Sequence, residues 1–163
     1  MQKNVEEIAV IIRKATIEDV QSVLVLVYKL MECHLRFDEY YKLGSNSHAS
    51  YSEYFERLVR SEDTVVIVVE DNRTIVGYLA AKIEERPPVF KEEKRGWVDS
   101  AYVLENYRGK GIGRKLTEKA LELLKNKGIK HVELTVDSKN ELGYKVWKSL
   151  GFETWQIIMK KSV

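Results

Sequence analysis

The sequence predicts one α/β domain built on a mixed, mostly antiparallel sheet with helices on both faces. Three observations carry this. Apolar runs rich in β-branched residues alternate with stretches of helical periodicity, in the order strand, helix, helix, two hairpin strands, strand, helix, strand, helix, strand. Thr64 to Glu70, TVVIVVE, is a nearly unbroken β-branched run, as a strand covered on both faces must be. Within residues 97–117 a strand, a glycine-rich turn and a helix start follow one another across a short polar connection. The 163 residues are enough for one domain that buries about two thirds of its unfolded surface.

Ile8 to Arg13 reads as the first strand. Thr16, with Asp19 three residues on, approximates a capping box and opens a helix whose Ile17, Val20, Val23, Leu24, Val27, Leu30 and Met31 share one face. Residues 33–54 lose that periodicity; a connection of this kind inside a compact domain is often functional. A second helix starts near Ser50 or Ser52 and carries Tyr54, Phe55, Leu58 and Val59 to about Arg60. Asp71-Asn72-Arg73 turns the Thr64 strand into Thr74 to Ile83, a β-hairpin. Pro87-Pro88 and the charged run Lys91 to Arg95 form a solvated loop before the strand Trp97 to Val103. A helix from about Gly113 to Asn126 stops at Gly128, and Ile129 to Asp137 is the next strand. Asn140 to Leu150 is a short helix closing on Gly151-Phe152, and Thr154 to Lys160 is the last strand.

Composition narrows the function. A hydrophobic share of 44% beside 32% charged residues is that of a soluble globular protein, not of a disordered or fibrous one. The 27 basic and 25 acidic side chains leave a net charge of +2, so a dedicated nucleic-acid binder is not expected. Cys33 is alone and cannot form an intramolecular disulfide; its apolar helical setting suits a buried thiol and a reducing compartment. Glu6 and Glu7 precede an apolar run too short for a signal or a membrane span, so a cytoplasmic protein with no membrane partner is expected. His131 has no other His or Cys near it in sequence, and no metal is expected.

Residues 97–117, WVDSAYVLENYRGKGIGRKLT, carry the chemistry. Backbone N–H groups converge where a strand passes through glycines into a helix, and the helix dipole presents its positive end there. A phosphorylated ligand suits such a site. A P-loop would need Gly, four residues, then Gly-Lys-Ser/Thr, and the chain has no such run; Gly111-Ile112-Gly113 is followed by Arg114-Lys115-Leu116 rather than by the third glycine of a dinucleotide fingerprint.

Arg108-x-x-Gly111-x-Gly113 after a Val-containing strand end resembles the acetyl-CoA motif of the GCN5-related N-acetyltransferases (GNAT). About thirty residues later Asn140, Gly143, Trp147 and Gly151-Phe152 are similar to that family's second pattern, Asn-x-x-Ala followed by an aromatic and Gly-Phe. Ile12 to Thr16 with Asp19 looks like its usual opening. The resemblance covers nearly the whole chain and implies a GNAT-like fold, in which the strand 97–103 splays from a parallel strand at 130–136 and the cofactor arm lies in the gap.

It further implies that the backbone of Ala101, Tyr102 and Val103 hydrogen-bonds the arm, with the Val103 N–H stabilising the thioester oxyanion. Arg108, Gly109, Lys110, Gly111, Ile112, Gly113 and Arg114 would hold the pyrophosphate, and Asn140, Gly143 and Trp147 would line the arm. The implied activity is direct transfer of acetyl from acetyl-CoA to an amine.

A lysine-like amine, pKa about 10.4, is neutral only on the order of one time in a thousand at pH 7, so a base is useful. Asp99 stands where some family members place a Glu; a base acting through water and a salt-bridged strand carboxylate are both open readings. The family often has a Tyr acid where this chain has Trp147, whose indole is no usable acid. Tyr144, one helical turn earlier, or water would then protonate the thiolate. The acceptor, a small molecule or a protein amine, would draw on Phe37 to Tyr41 and Pro87 to Lys91, with Asp38 and Glu39 favouring a cation. A CoA-binding sensor without turnover is the rival reading, and a nucleotide-phosphate binder a weaker one. Family members often form homodimers, but no sequence feature specifies an interface.

Overall fold

A computed structural model describes residues 9–163. Its sheet has five strands in sequence order, β1 (Ile11–Lys14), β2 (Thr64–Asp71), β3 (Thr74–Glu85), β4 (Lys94–Val103) and β5 (Val132–Glu133). The first three pairings are antiparallel and β4 with β5 is parallel. The helices are α1 (Val20–Leu35), α2 (Ser47–Arg60), α3 (Ile112–Asn126) and α4 (Glu141–Ser149). Among the described residues no helix is long and apolar enough to cross a membrane.

Side-chain alternation along β2 and β3 sends successive apolar residues to opposite faces. Val66, Val68, Tyr78 and Ala80 pack with α1 and α2, while Val65, Ile67, Leu79 and Ala81 pack with α3. The unbroken run of β2 is thus needed by two cores at once. The hairpin between β2 and β3 turns on Asn72 and Arg73, both at positive φ (47° and 65°), the combination that lets a tight turn follow the strand twist.

The N-terminal motif anchors α1. The Thr16 N–H donates to Asp19 Oδ2 at 2.7 Å, and Arg13 grips the same carboxylate at 2.6 and 2.9 Å while also donating to Glu70 at 2.7 Å. One guanidinium therefore fastens β1, β2 and the start of α1 together.

Several sequence expectations need correction. Ile8 lies outside the described residues, and the first strand runs through Lys14. The helix expected from Thr16 starts as a short 3-10 turn and becomes α-helical at Val20. The second helix starts at Ser47, earlier than its apolar pattern shows. The strand expected over 129–137 keeps two ladder residues, and Thr154 to Lys160 joins no ladder. The two shortfalls are linked, since a further strand can add only along extended backbone with free N–H and C=O groups, and β5 supplies only two residues of it. Trp155, Ile157, Ile158 and Met159 are left exposed.

The Arg13 guanidinium, through its hydrogen bonds, holds the Asp19 carboxyl below its ordinary value of 3.8, against the opposing effect of burial. The stability this provides is complete above that ordinary value and is lost as pH falls through the lower native-state value. Asp19→Asn is expected to cost about 2 kcal/mol at pH 7, as for hydrogen bonds to a charged group. Urea melts of both proteins should show the difference shrinking below pH 4, toward zero; a difference independent of pH would refute this account of Asp19.

Candidate active site

Strand β4 is laddered to β3 at every residue but Asp99, and it meets β5 only at Gly96↔Val132 and Trp97↔Glu133. Beyond Trp97 the two parallel strands part, so one edge of β4 faces a cleft. The Leu104 N–H donates to Val76 O, on the β3 side. Alternation then turns the N–H groups of Val103 and Ala101 toward the cleft and that of Tyr102 toward β3. The ring of Tyr102 packs in the α1 core.

The glycine turn closes one end of this cleft. Gly109 and Gly111 have φ of 73° and 77°, which side chains with a Cβ adopt only under strain. An added Cβ at Gly109, Gly111 or Gly113 would meet nothing within 4 Å, so the turn presents open backbone. Gly111 caps α3 without any side-chain hydrogen bond, and no acid occupies the first turn. Its leading N–H groups keep their positive character. Buried Ile112 pins the turn to the α3 core. The cations are partly committed: Arg108 Nε donates to Val103 O at 2.8 Å with its guanidinium over the Tyr102 ring, Lys110 lies 5.7 Å from the Tyr107 ring centre, and Arg114 donates to Ser149 O.

Asp99 is the unpaired residue of a β-bulge, because Ala80 pairs with Ser100 and Ala81 with Val98. The extra residue shifts the alternation: Val98 packs on the α3 face and Tyr102 on the α1 face. Asp99 itself meets α2. Tyr54 OH donates to its Oδ1 at 2.9 Å, and Lys82 Nζ is 3.9 Å from the same oxygen. The salt-bridge reading of Asp99 therefore has a partner, but Lys82 lies closer to Glu84, at 3.1 Å.

Tyrosines surround this carboxylate. Burial first, then the Asp99 charge, push the Tyr54 and Tyr51 hydroxyls above their ordinary pKa. Burial does the same to Tyr78; Ser100 draws it partly back without reaching hydrogen-bond geometry, leaving Tyr78 OH and Ser100 Oγ buried and unpartnered. A groove of about 400 Å3 runs along one face of α2, lined by Ser47, Ser50, Tyr51, Tyr54 and Arg57. A smaller cavity of about 100 Å3, lined by Lys14 and Lys127 among others, contains none of the sequence-derived site residues.

The second motif builds α4. Asn140 Oδ1 accepts from the Gly143 N–H at 2.9 Å as an N-cap, and a Cβ at residue 143 would collide with that Asn140 side chain, so glycine here preserves the cap. Trp147 stacks edge-on against Phe152 with ring centres 5.3 Å apart. The Tyr144 hydroxyl pairs with Thr154 Oγ1 at 2.9 Å.

Phe37 to Tyr41 is tied to the segment just before Asn140: Tyr41 OH donates to Asp137 and Lys139 Nζ to Phe37 O. The charge of Asp38 is taken by Lys160 at 2.6 Å. The Pro87 to Lys91 loop folds on itself, with Arg86 over the Phe90 ring at 4.3 Å. His131 pairs with Glu92 at 3.0 Å, and no group of three or more metal-ligating side chains assembles among the described residues.

Tyr54 and Lys82 are the site neighbours that no motif marks. The only trace of Tyr54 in the sequence is helical spacing, since residues 47, 50, 54 and 57 fall along one stripe of α2 that borders the buried stripe of Phe55 and Leu58.

An acetyltransferase (GNAT) family profile matches residues 29–152. An uncharacterized N-acetyltransferase of Methanocaldococcus jannaschii is 31% identical over 147 residues, which make up 90% of this chain but 62% of that relative's length. A Bacillus halodurans protein, solved as a tetramutant, superposes with a TM-score of 0.81 at 26% identity, covering 94% of this chain and 99% of the other. A predicted acetyltransferase of Clostridium acetobutylicum, solved with acetyl-CoA, shares the fold at a TM-score of 0.78 and 20% identity, over 94% and 96% of the two chains. The split strands, the bare glycine turn and the capped Asn140 helix all fall within the matched span, and the chain belongs to the GNAT acetyltransferase family.

Proposed function

We propose that this chain is an N-acetyltransferase that passes the acetyl group of acetyl-CoA directly to a primary amine. The observation that carries the proposal is the free edge of β4, bounded at one end by the start of α3, which no side chain caps, and bearing Asp99 on its bulge. The residues fit a CoA-type ligand. A pyrophosphate would meet unpaired N–H groups of a helix N-terminus, open glycine backbone and the flanking cations Lys110 and Arg114, while the N–H groups of Ala101 and Val103 offer donors to an arm along the cleft. The fold it shares with the Clostridium acetyltransferase, which was solved with acetyl-CoA, supports the same cofactor.

When bound, acetyl-CoA supplies an activated thioester carbonyl. This chain's part is to orient and to move protons. Asp99 takes a proton from the acceptor ammonium, directly or through one water, freeing the nitrogen lone pair. The nitrogen bonds to the acetyl carbon, the carbon–sulfur bond breaks, and the Val103 N–H steadies the negative charge on the carbonyl oxygen meanwhile. Water carries the second proton of that nitrogen to the departing thiolate, leaving a neutral amide and a thiol, because the Tyr144 hydroxyl is engaged with Thr154 and Trp147 has no acidic proton to give. The acceptor approaches along the tyrosine-lined groove of α2, whose roughly 400 Å3 suits a small amine or a single side chain.

Thiol release from acetyl-CoA across a panel of polyamines, amino sugars, aminoglycosides and peptides tests the activity. Release is expected with at least one class of amine; CoA binding with no release on any amine would favour a non-catalytic sensor, the reading that Trp147 keeps open. With a working acceptor, Asp99→Ala should lower kcat by about a hundredfold while KM for acetyl-CoA stays within twofold. Gly111→Val, which forces a branched side chain to φ 77°, should raise KM for acetyl-CoA at least tenfold from about 1–2 kcal/mol of strain and lost backbone access. Tyr144→Phe should keep more than half of kcat; a tenfold fall would assign it the acid role.

A further inference from the structure

We infer that Tyr54 is a positioning residue for Asp99, a role that α2 contributes to the reaction and that rests on Asp99 being the base. The hydroxyl donates to Oδ1 at 2.9 Å, and Lys82 Nζ approaches the same oxygen at 3.9 Å. Oδ2 accepts no hydrogen bond among the described residues. The two carboxylate oxygens therefore have different jobs: one is fixed to the scaffold, and the other keeps its lone pairs for the acceptor's proton.

A carboxylate on a bulge needs such a tether. Residue 99 has no cross-strand partner to hold its backbone, and a free Asp side chain rotates about χ1 and χ2. Tyr54 limits that rotation from outside the sheet. Its ring sits edge-on to Phe55, centres 5.7 Å apart, and the Arg57 guanidinium lies 6.0 Å from its centre. Phe55 is buried and in turn meets Tyr78 edge-on at 5.9 Å. The hydroxyl is thus placed by the packed core rather than by a mobile stem. Burial and the Asp99 charge keep its proton on well above neutral pH, so it stays a donor across the working range.

The bulge also leaves polar groups beside it short of partners. Tyr78 OH and Ser100 Oγ, next to the Asp99 bulge, are buried with no partner. Buried hydroxyls without partners are costly unless a water or substrate group completes them.

The test is a double-variant cycle on the full chain, using the acceptor that gives the highest thiol release. Tyr54→Phe keeps the ring between Phe55 and Arg57 and removes only the donor. It should lower kcat roughly tenfold with KM for acetyl-CoA within twofold and an unchanged CD spectrum. Asp99→Asn should be nearly inactive, and the double variant should match it within twofold, because an orienting donor has nothing left to orient. If Asp99→Asn is nearly inactive while Tyr54→Phe keeps the wild-type rate, or if the double variant falls a further tenfold, the positioning role is overturned and the base survives. An Asp99→Asn protein with wild-type turnover removes the base, and the proposal with it.

Discussion

Strand β4 is held by β3 at every residue but Asp99 and by β5 at only two residues, and the molecule's candidate chemistry hangs on that unequal pairing. In a fully laddered sheet every backbone group of β4 would be satisfied by a neighbour and none would be left for a ligand. Parting from β5 after Trp97 leaves alternate N–H groups, at Ala101 and Val103, facing a cleft. Such exposure is tolerable because the strand stays anchored on its other edge and carries apolar side chains into both cores. The same parting explains why β5 is so short and why residues 154–160 find no edge to extend.

The bulge at Asp99 is the second consequence of how β4 is built. Alternation would otherwise keep Val98, Ser100 and Tyr102 on one face. One inserted residue moves Val98 to the α3 core and Tyr102 to the α1 core, and it places a carboxylate under α2 between them. A single irregularity thus serves packing and chemistry together, setting Asp99 beside Tyr54 at a point where the ladder is already interrupted. The glycine turn works on similar terms, since Gly109 and Gly111 take up backbone conformations that expose amides, while Ile112 in the core stops the turn from moving.

The two halves of the candidate cofactor site are linked through side chains rather than through the sheet. Arg114 of α3 donates to Ser149 O at the end of α4, and Tyr41 and Lys139 fasten the loop after α1 to the residues before Asn140. Arg108 folds back on Val103 O and Tyr102 instead of pointing outward. Its charge lies over the strand edge, close to the groups that would face a thioester.

By itself the sequence determined what depends on local pattern. The β2–β3 hairpin, the core face of α1, the glycine turn and the Gly128 stop all follow from periodicity and turn chemistry within a few residues. The two family motifs are legible for the same reason, because each is a contiguous run whose backbone geometry its own residues dictate. Tertiary structure decided whatever depends on distant segments meeting: the bulge at Asp99, set by register against β3; the early start of α2 at Ser47; the truncation of β5; and the Tyr54 donor, forty-five positions from the carboxylate it reaches. A tyrosine on an amphipathic helix has no sequence mark that separates a core edge from a hydrogen-bond donor to a base. That distinction arises only when α2 is laid across the sheet, because it depends on which strand residue comes within 3 Å of the hydroxyl.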